Sequence, residues 1–290
     1  MKELVEISIV IPIFNSEKTL LILVESLELL FKDLSVTYEI ILVDDSSQDA
    51  SWNKIVSIAN ESKLVKGIHL SENKGQFIAT LIGIKNSSGR YIINMDDDFE
   101  HQVLEVQNLY EYLKKEQNLK IVFGWDNKKY HLKGEASRLQ KIRNQFLNFI
   151  WNKYPTDSFR IFKREMVFKN KRFLVADPML EIYLKHHINL SEVGYLNVKF
   201  GKRLEGKSGV NVLKKFLMFL KFTPYFVSFS TYFIFTFLYC ALSINAYLKG
   251  GLSFSSVIIQ FVIISIFVWS IYFKSKCFHL NDVDIKSINL

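Results

Sequence analysis

The stretch ISIVIPIFNSE, residues 7–17, decides how the rest of the chain is read. Ile7 to Ile13 form an apolar run of the kind that makes a buried strand, and the chain then leaves it through Phe14 and Asn15. A dinucleotide-binding domain would place a G-x-G-x-x-G turn after its first strand, and here that position reads PIFNSE, residues 12–17. The Walker-type spacing G-x-x-x-x-G-K-[ST] occurs once, at GKRLEGKS, residues 201–208, and not after this strand. Hydride transfer therefore loses its main support.

Outward from this stretch the pattern alternates. Further apolar runs at Tyr38 to Val43, Val65 to Leu70, Tyr91 to Met95 and Ile121 to Trp125 predict buried strands. Helical spacing lies between them, at Glu17 to Phe31, Ala50 to Asn60, Gly75 to Ile84 and Val103 to Lys115. Regular alternation of this kind predicts an α/β domain, a mostly parallel sheet with helices on both faces. Arg138 to Trp151 and Pro178 to His187 read as further helices, Phe159 to Phe162 as a short strand and Leu190 to Phe200 as extended chain.

In open α/β sheets the ligand sits beyond the C-terminal ends of the strands. The second strand ends in Asp44, Asp45, Ser46 and Ser47, and the fourth ends in NMDDDFEHQ, residues 94–102. Like charges crowded on one rim repel unless a cation lies among them. In an extended chain Asp96, Asp98 and Glu100 share a face and Asp97 takes the other. Magnesium or manganese, which prefer oxygen ligands and share a few carboxylates with substrate phosphates, suit that cluster. The competing reading is a solvated acidic turn. His101 reads as a solvent-facing neighbour of this loop, and Asn73 and Gly75 as formers of a tight turn.

The order IVIPIFNSE, ILVDDSSQD, SENKGQFIA and INMDDDFEHQ resembles glycosyltransferase family 2, and within it the polyisoprenyl-phosphate glycosyltransferases. The resemblance extends over nearly the whole chain through DSFRIFKRE and RLEGKSG. It implies a GT-A nucleotide-diphospho-sugar transferase fold over residues 1–210, with a Rossmann-like, mostly parallel sheet. Donor-binding positions implied are Pro12, Asn15, Asp44, Asp45, Asn73, Gly75, Asp96 and Asp97. Mg2+ or Mn2+ would be held by Asp96, Asp98 and Glu100, the last standing where glutamine is usual. Asp98 and Arg160 match catalytic positions. Arg160, Arg203, Lys207 and Ser208 match those that meet the acceptor phosphate. The chain departs from the family after the fifth strand, where GWDNKKYH leaves Lys128 or Lys129 in place of an arginine, and after Gly206, which is followed by KSGVN.

The C-terminal third has a different character. No charge interrupts Phe222 to Leu248 or Gly250 to Phe273, and each run exceeds the roughly 20 residues that span a bilayer. They predict a transmembrane hairpin within residues 223–290, with spans near 223–248 and 251–273, preceded by a juxtamembrane amphipathic helix at 211–222. Lys214, Lys215 and Lys221 before the hairpin and Lys274 and Lys276 after it place both ends on the cytoplasmic side of the inner membrane. The net charge of +8 suits anionic headgroups, and no nucleic-acid-binding signature accompanies it. Cys240 and Cys277 fall in or beside the hairpin and support no disulfide framework.

The expected reaction is inverting transfer of a sugar from a nucleotide diphosphate, a UDP-sugar by preference, to polyprenyl phosphate. The expected partners are therefore the nucleotide sugar, the lipid and the membrane, with a homo-oligomer also admitted. A phosphate acceptor is already ionised and needs no base. The rival reading keeps the fold but uses a glycan hydroxyl, with Asp177 as base. As a purely structural residue Asp177 would cap a helix that starts at Pro178. A third reading is a binding protein that has kept the fold without catalysis.

Overall fold

The computed structural model describes residues 4–126, 158–168, 189–201 and 284–289. All of them belong to one of the two compact units into which the chain divides; the other, residues 175–179 and 208–282, lies outside them. The strands are β1 (Ile7–Ile13), β2 (Tyr38–Asp44), β3 (Val65–Leu70), β4 (Tyr91–Asn94), β5 (Ile121–Trp125), β6 (Arg160–Lys163), β7 (Val193–Asn197) and β8 (Ile285–Ile288). Between them come α1 (Leu20–Asp33), α2 (Ser51–Glu61), α3 (Gln76–Lys85), α4 (Val103–Lys115) and the short α5 (Arg164–Phe168).

The strands form one sheet in the order β7-β5-β6-β4-β1-β2-β3-β8. The centre, from β4 to β3, is parallel, whereas β6 and β8 run antiparallel to their neighbours. Central strands buried on both sides carry almost unbroken apolar sequence. Ile7, Ile9, Ile11 and Ile13 face a core closed by Leu23, Leu27 and Phe31 of α1, Ile55 and Ile58 of α2, and Val106, Leu109 and Leu113 of α4. Helix α3 packs on β1 and β2 from the opposite side. There Gly83 lets it approach closely, since a Cβ would stand 2.3 Å from Val10 Cγ1 and 3.0 Å from Val43 Cγ2.

The five predicted parallel-type strands coincide with the observed ones to within a residue, but α1 starts three residues later than predicted and α2 and α3 one residue later, at Ser51 and Gln76. Helix α1 begins at Leu20 and not at Glu17, because Ser16 N–H donates to Ser51 Oγ (2.8 Å) and Glu17 N–H to Asp49 Oδ2 (3.1 Å). Those bonds tie the first residues to the β2–α2 loop instead of to a helix. Helix α3 begins at Gln76, with Gly75 as its N-terminal cap in the left-handed region at φ +89°.

Strand β8 has no counterpart in the sequence reading. It is short, mostly exposed and of mixed polarity, so only its pairing marks it. Ile285 to Ile288 line up with Leu70 to Gly67, and Asn289 Nδ2 donates to the carbonyls of Ala59 and, at 3.1 Å, Val65. Among the described residues no helix is long and apolar enough to cross a membrane. The predicted hairpin and amphipathic helix lie outside those residues, as do Asp177, Arg203, Lys207, Ser208, Lys128 and Lys129.

Candidate functional site

The strand order turns at β1, which has β4 on one side and β2 on the other, so the crevice of an open α/β sheet falls at the C-terminal ends of β1 and β4. A cleft lies there, lined by Pro12, Gln76, Thr80, Asn94, Asp96 and Arg160, with Phe77, Leu81, Met95 and Ser158 completing it. The loops after the strands build its rim by clipping one another with backbone donors.

The β1–α1 and β2–α2 loops are joined first. Asn15, in the left-handed region at φ 56°, donates its N–H to Ser47 Oγ (2.9 Å) and accepts from Gln48 N–H through Oδ1 (2.8 Å). Glu17 bonds the β2–α2 loop twice, its N–H donating to Asp49 Oδ2 at 3.1 Å and its Oε2 accepting from Ala50 N–H at 2.9 Å.

Asp44 is fully buried, with Oδ2 2.6 Å from His69 Nδ1 and no partner for Oδ1 among the described residues. Asp45 accepts from Lys74 N–H (2.7 Å) and Gly75 N–H (2.8 Å), which closes the β3–α3 turn over it. Removal from solvent raises the Asp45 carboxyl above the usual carboxylate range; neighbouring Asp44 adds to the rise, and the two N–H donors oppose it. Asn73 and Gly75 thus stand beside Asp45 because the turn is folded onto that carboxylate.

The carboxylate loop after β4 divides its charges. Asp96 points to α3 and β6, accepting from Gln76 Nε2 (2.6 Å) and Ser158 Oγ (3.0 Å). Asp97 points the other way, its Oδ2 accepting from Ser16 Oγ and from Phe14 N–H (3.3 Å). Desolvation pushes the Asp97 carboxyl up to about 6; Asp96 and Asp98 add to this, while Ser16 and Phe14 pull it down. Asp98 Oδ1 accepts from Glu100 N–H at 2.9 Å. The alternation expected of an extended chain therefore holds from Asp96 to Asp97. It is interrupted at Phe99, whose φ of 60° turns the backbone before Glu100.

One residue differs from expectation and three were missed. His101 is 2 % exposed, not solvent-facing: its ring stacks on Phe159 and its Nδ1 accepts from Asp96 N–H at 2.9 Å. Arg160 is 3 % exposed, and with the Asn94 amide turned to present oxygen it donates from Nη2 (3.2 Å) and Nε (3.3 Å). Asn94, Gln76 and Ser158 were not singled out from the sequence. Each lies inside a motif quoted above: Asn94 in NMDDDFEHQ, Gln76 in SENKGQFIA and Ser158 in DSFRIFKRE.

The described residues contain no group of three His, Cys, Asp or Glu side chains gathered as a metal cage. One or two carboxylates beside substrate phosphates is how Mg2+-type ions are usually held. The hard oxygen donors of Asp96 and Asp98 fit a cation shared in that way.

The glycosyl transferase family 2 model matches residues 8–169, which include every loop of this rim from Asn15 to Arg160. The chain belongs to glycosyl transferase family 2. The undecaprenyl-phosphate 4-deoxy-4-formamido-L-arabinose transferase of Yersinia enterocolitica is 38% identical over 105 residues, 36% of this chain and 32% of that protein. Its counterpart in Aeromonas hydrophila is 36% identical over 107 residues, again 36% of this chain and 32% of the relative. The matched segment thus spans about a third of the curated relatives' length.

Among solved structures, glucosyl-3-phosphoglycerate synthase from Mycobacterium tuberculosis, in complex with Mn2+, UDP-glucose and phosphoglyceric acid, superposes with a TM-score of 0.54. Its identity is 16%, over 73% of this chain and 77% of that one. At that identity the likeness speaks for the GT-A-like mixed α/β fold. As a family 2 glycosyltransferase, this protein carries its clipped loops at the C-terminal ends of β1, β2, β3 and β4, which converge on one rim.

Proposed function

We propose that this glycosyltransferase moves a sugar from a nucleotide diphosphate, a UDP-sugar by preference, to polyprenyl phosphate at the inner face of the cytoplasmic membrane. The observation that carries the reading is the cleft in which Asp96, Asn94 and Arg160 meet at the C-terminal ends of β1 and β4. The printed names of the curated relatives support undecaprenyl phosphate as the acceptor class.

Asp44, Asp45 and the β1–α1 loop around Pro12 and Asn15 would receive the nucleoside, with the turn at Asn73 and Gly75 beside it. Asp96 and Asp98 would face the diphosphate side, and Asp97, the other donor-side position, is turned toward Ser16 and Phe14 of the β1–α1 loop. Asp96 and Asp98, with Glu100, would hold Mg2+ or Mn2+, which when bound offsets charge developing on the departing diphosphate. The protein's own part is orientation. Gln76 and Ser158 hold the Asp96 carboxylate from two sides, so its direction is set before substrate arrives. Arg160, held by Asn94 in the same cleft, supplies a fixed cation for phosphate oxygens.

A phosphate monoester with a second pKa of roughly 6 is largely dianionic at neutral pH, so the acceptor needs positioning and charge neutralisation more than a base. Arg203, Lys207 and Ser208, just beyond Gly201, would meet it.

The C-terminal strand bears on the membrane arrangement. The described residues stop at Gly201 and resume in the same sheet at β8. Any crossing of a bilayer between those points must therefore be even in number. A hairpin over 223–248 and 251–273 satisfies this, with both ends on the catalytic side.

The test supplies membranes holding the protein with radiolabelled nucleotide sugars and undecaprenyl phosphate, and scores solvent-extractable product for mild-acid lability. A labile lipid-linked sugar that requires divalent metal and is lost in Asp98→Ala is the expected result. Label found only on a lipid-linked glycan would transfer the reading to a hydroxyl acceptor, with Asp177 as base.

A further inference from the structure

We propose that His101 is a positioning residue: its buried imidazole fixes the Asp96 peptide and locks the carboxylate loop to the Phe200–Gly201 segment that leads into the acceptor-phosphate residues. The inference rests on the metal-diphosphate reading of that loop.

Three contacts converge on the ring. Asp96 N–H donates to Nδ1 at 2.9 Å, so that nitrogen carries a lone pair and the proton of the neutral ring lies on Nε2. Phe159 stacks on one side, with centroids 4.7 Å apart and planes 15° from parallel, and Phe200 meets the ring at 5.2 Å and 62°. Phe159 lies between Ser158, which holds Asp96, and Arg160, which is bonded to Asn94. One side chain thus joins the start of the loop, the β6 side of the cleft and the chain that follows β7.

The backbone repeats the connection. His101 and Phe200 form an antiparallel bridge, and Gly201 N–H donates to the Glu100 carbonyl at 2.8 Å. The approach needs glycine, because a Cβ on Gly201 would stand 2.7 Å from the Phe99 carbonyl oxygen. Lys199 N–H donates to the largely buried Glu105 at the start of α4 (3.0 Å), which anchors the same segment one step earlier. Arg203 follows Gly201 by two positions in the chain. Donor-side carboxylates and the start of the acceptor segment are therefore held as one piece. Groups of this kind behind metal ligands typically change metal affinity about 10- to 100-fold when removed.

A ring that only fills core space would behave differently, and two substitutions separate the roles. His101→Phe keeps an aromatic ring between Phe159 and Phe200 but removes the acceptor. His101→Asn gives up the ring yet keeps an oxygen close to where Nδ1 stood. The experiment measures Mn2+ binding to the full-length protein in detergent with UDP present, by the EPR signal of free Mn2+, alongside thermal melting.

His101→Phe is expected to weaken Mn2+ binding at least about tenfold, and His101→Asn to remain within about threefold of wild type. Wild-type-like binding by His101→Phe, or an equal loss in His101→Asn, overturns the positioning role. Should His101→Phe fail to fold, Gly201→Ala displaces the loop by another route, and wild-type Mn2+ binding there would overturn the proposal in the same way. If the wild-type protein binds no Mn2+ with UDP, the metal seat itself falls, and this inference with it.

Discussion

Gly75 donates its backbone N–H to Asp45 Oδ2 at 2.8 Å while holding φ at +89°, so the turn that opens α3 is shaped around a single carboxylate. A Cβ at Gly75 would meet nothing within 4 Å. Gly75→Ala should therefore destabilise the protein only through backbone strain, by about 1–2 kcal/mol. Gly83→Ala should cost more, about 1–3 kcal/mol with a larger fall in Tm, because its methyl collides with Val10 and Val43. Thermal melting of the two variants side by side checks the order.

Asp97 gives a pH dependence whose sign can be worked out. Its carboxyl is pushed up to about 6 in the folded protein, above the unfolded value near 3.9, so the folded state holds its proton more tightly. Stability of the metal-free protein should fall as pH rises through that interval, because the charged form is disfavoured in place. Asp97→Asn keeps an oxygen acceptor for Ser16 and Phe14 and removes the charge. Its Tm should match wild type near pH 4 and exceed it increasingly up to pH 7. A constant difference across that range would refute the assignment.

Arg160 is buried and presents two nitrogens to Asn94. Lysine keeps the charge but not the fork, so Arg160→Lys should lower kcat by about 100-fold or more with little change in donor KM. Steady-state kinetics on whichever nucleotide sugar proves active gives the split.

At the opposite end of the sheet, Glu39 is 3 % exposed. It accepts from Ser8 Oγ, from Ser88 N–H (2.6 Å) and Ser88 Oγ (2.9 Å), and pairs with Lys66 at 2.7 Å. Burial alone would raise its carboxyl, but Lys66 and the serine donors bring it net below the usual range. Its contribution is present above the unfolded pKa and is lost as pH falls through the lower folded one. Glu39→Ala leaves those donors without their acceptor and should cost about 3 kcal/mol at pH 7, less at pH 4, read from denaturant or thermal unfolding.

Strand β8 covers the outer edge of β3. Deleting residues 284–290 should expose that edge, lower Tm and promote aggregation at protein concentrations where the intact chain stays dispersed. Light scattering during a thermal ramp distinguishes the two chains.

The sequence by itself determined the central sheet, because strands covered on both faces carry almost unbroken apolar sequence, as Ile9–Ile13, Ile40–Val43 and Tyr91–Ile93 do. It also placed the acidic rim, since charges that follow such strands can only emerge at their C-terminal ends. What the tertiary structure decided was which way each rim side chain points and what holds it. Asp96 and Asp97 are neighbours in the chain, yet one is bound by Gln76 and Ser158 and the other by Ser16 and Phe14, partners from distant segments. His101 looked exposed because a histidine after a run of acids has no local reason to be buried; Phe159 and Phe200 supply that reason from far along the chain. Strand β8 carried no signal at all, because an exposed edge strand is defined by the backbone hydrogen bonds it makes to β3 and not by its side chains.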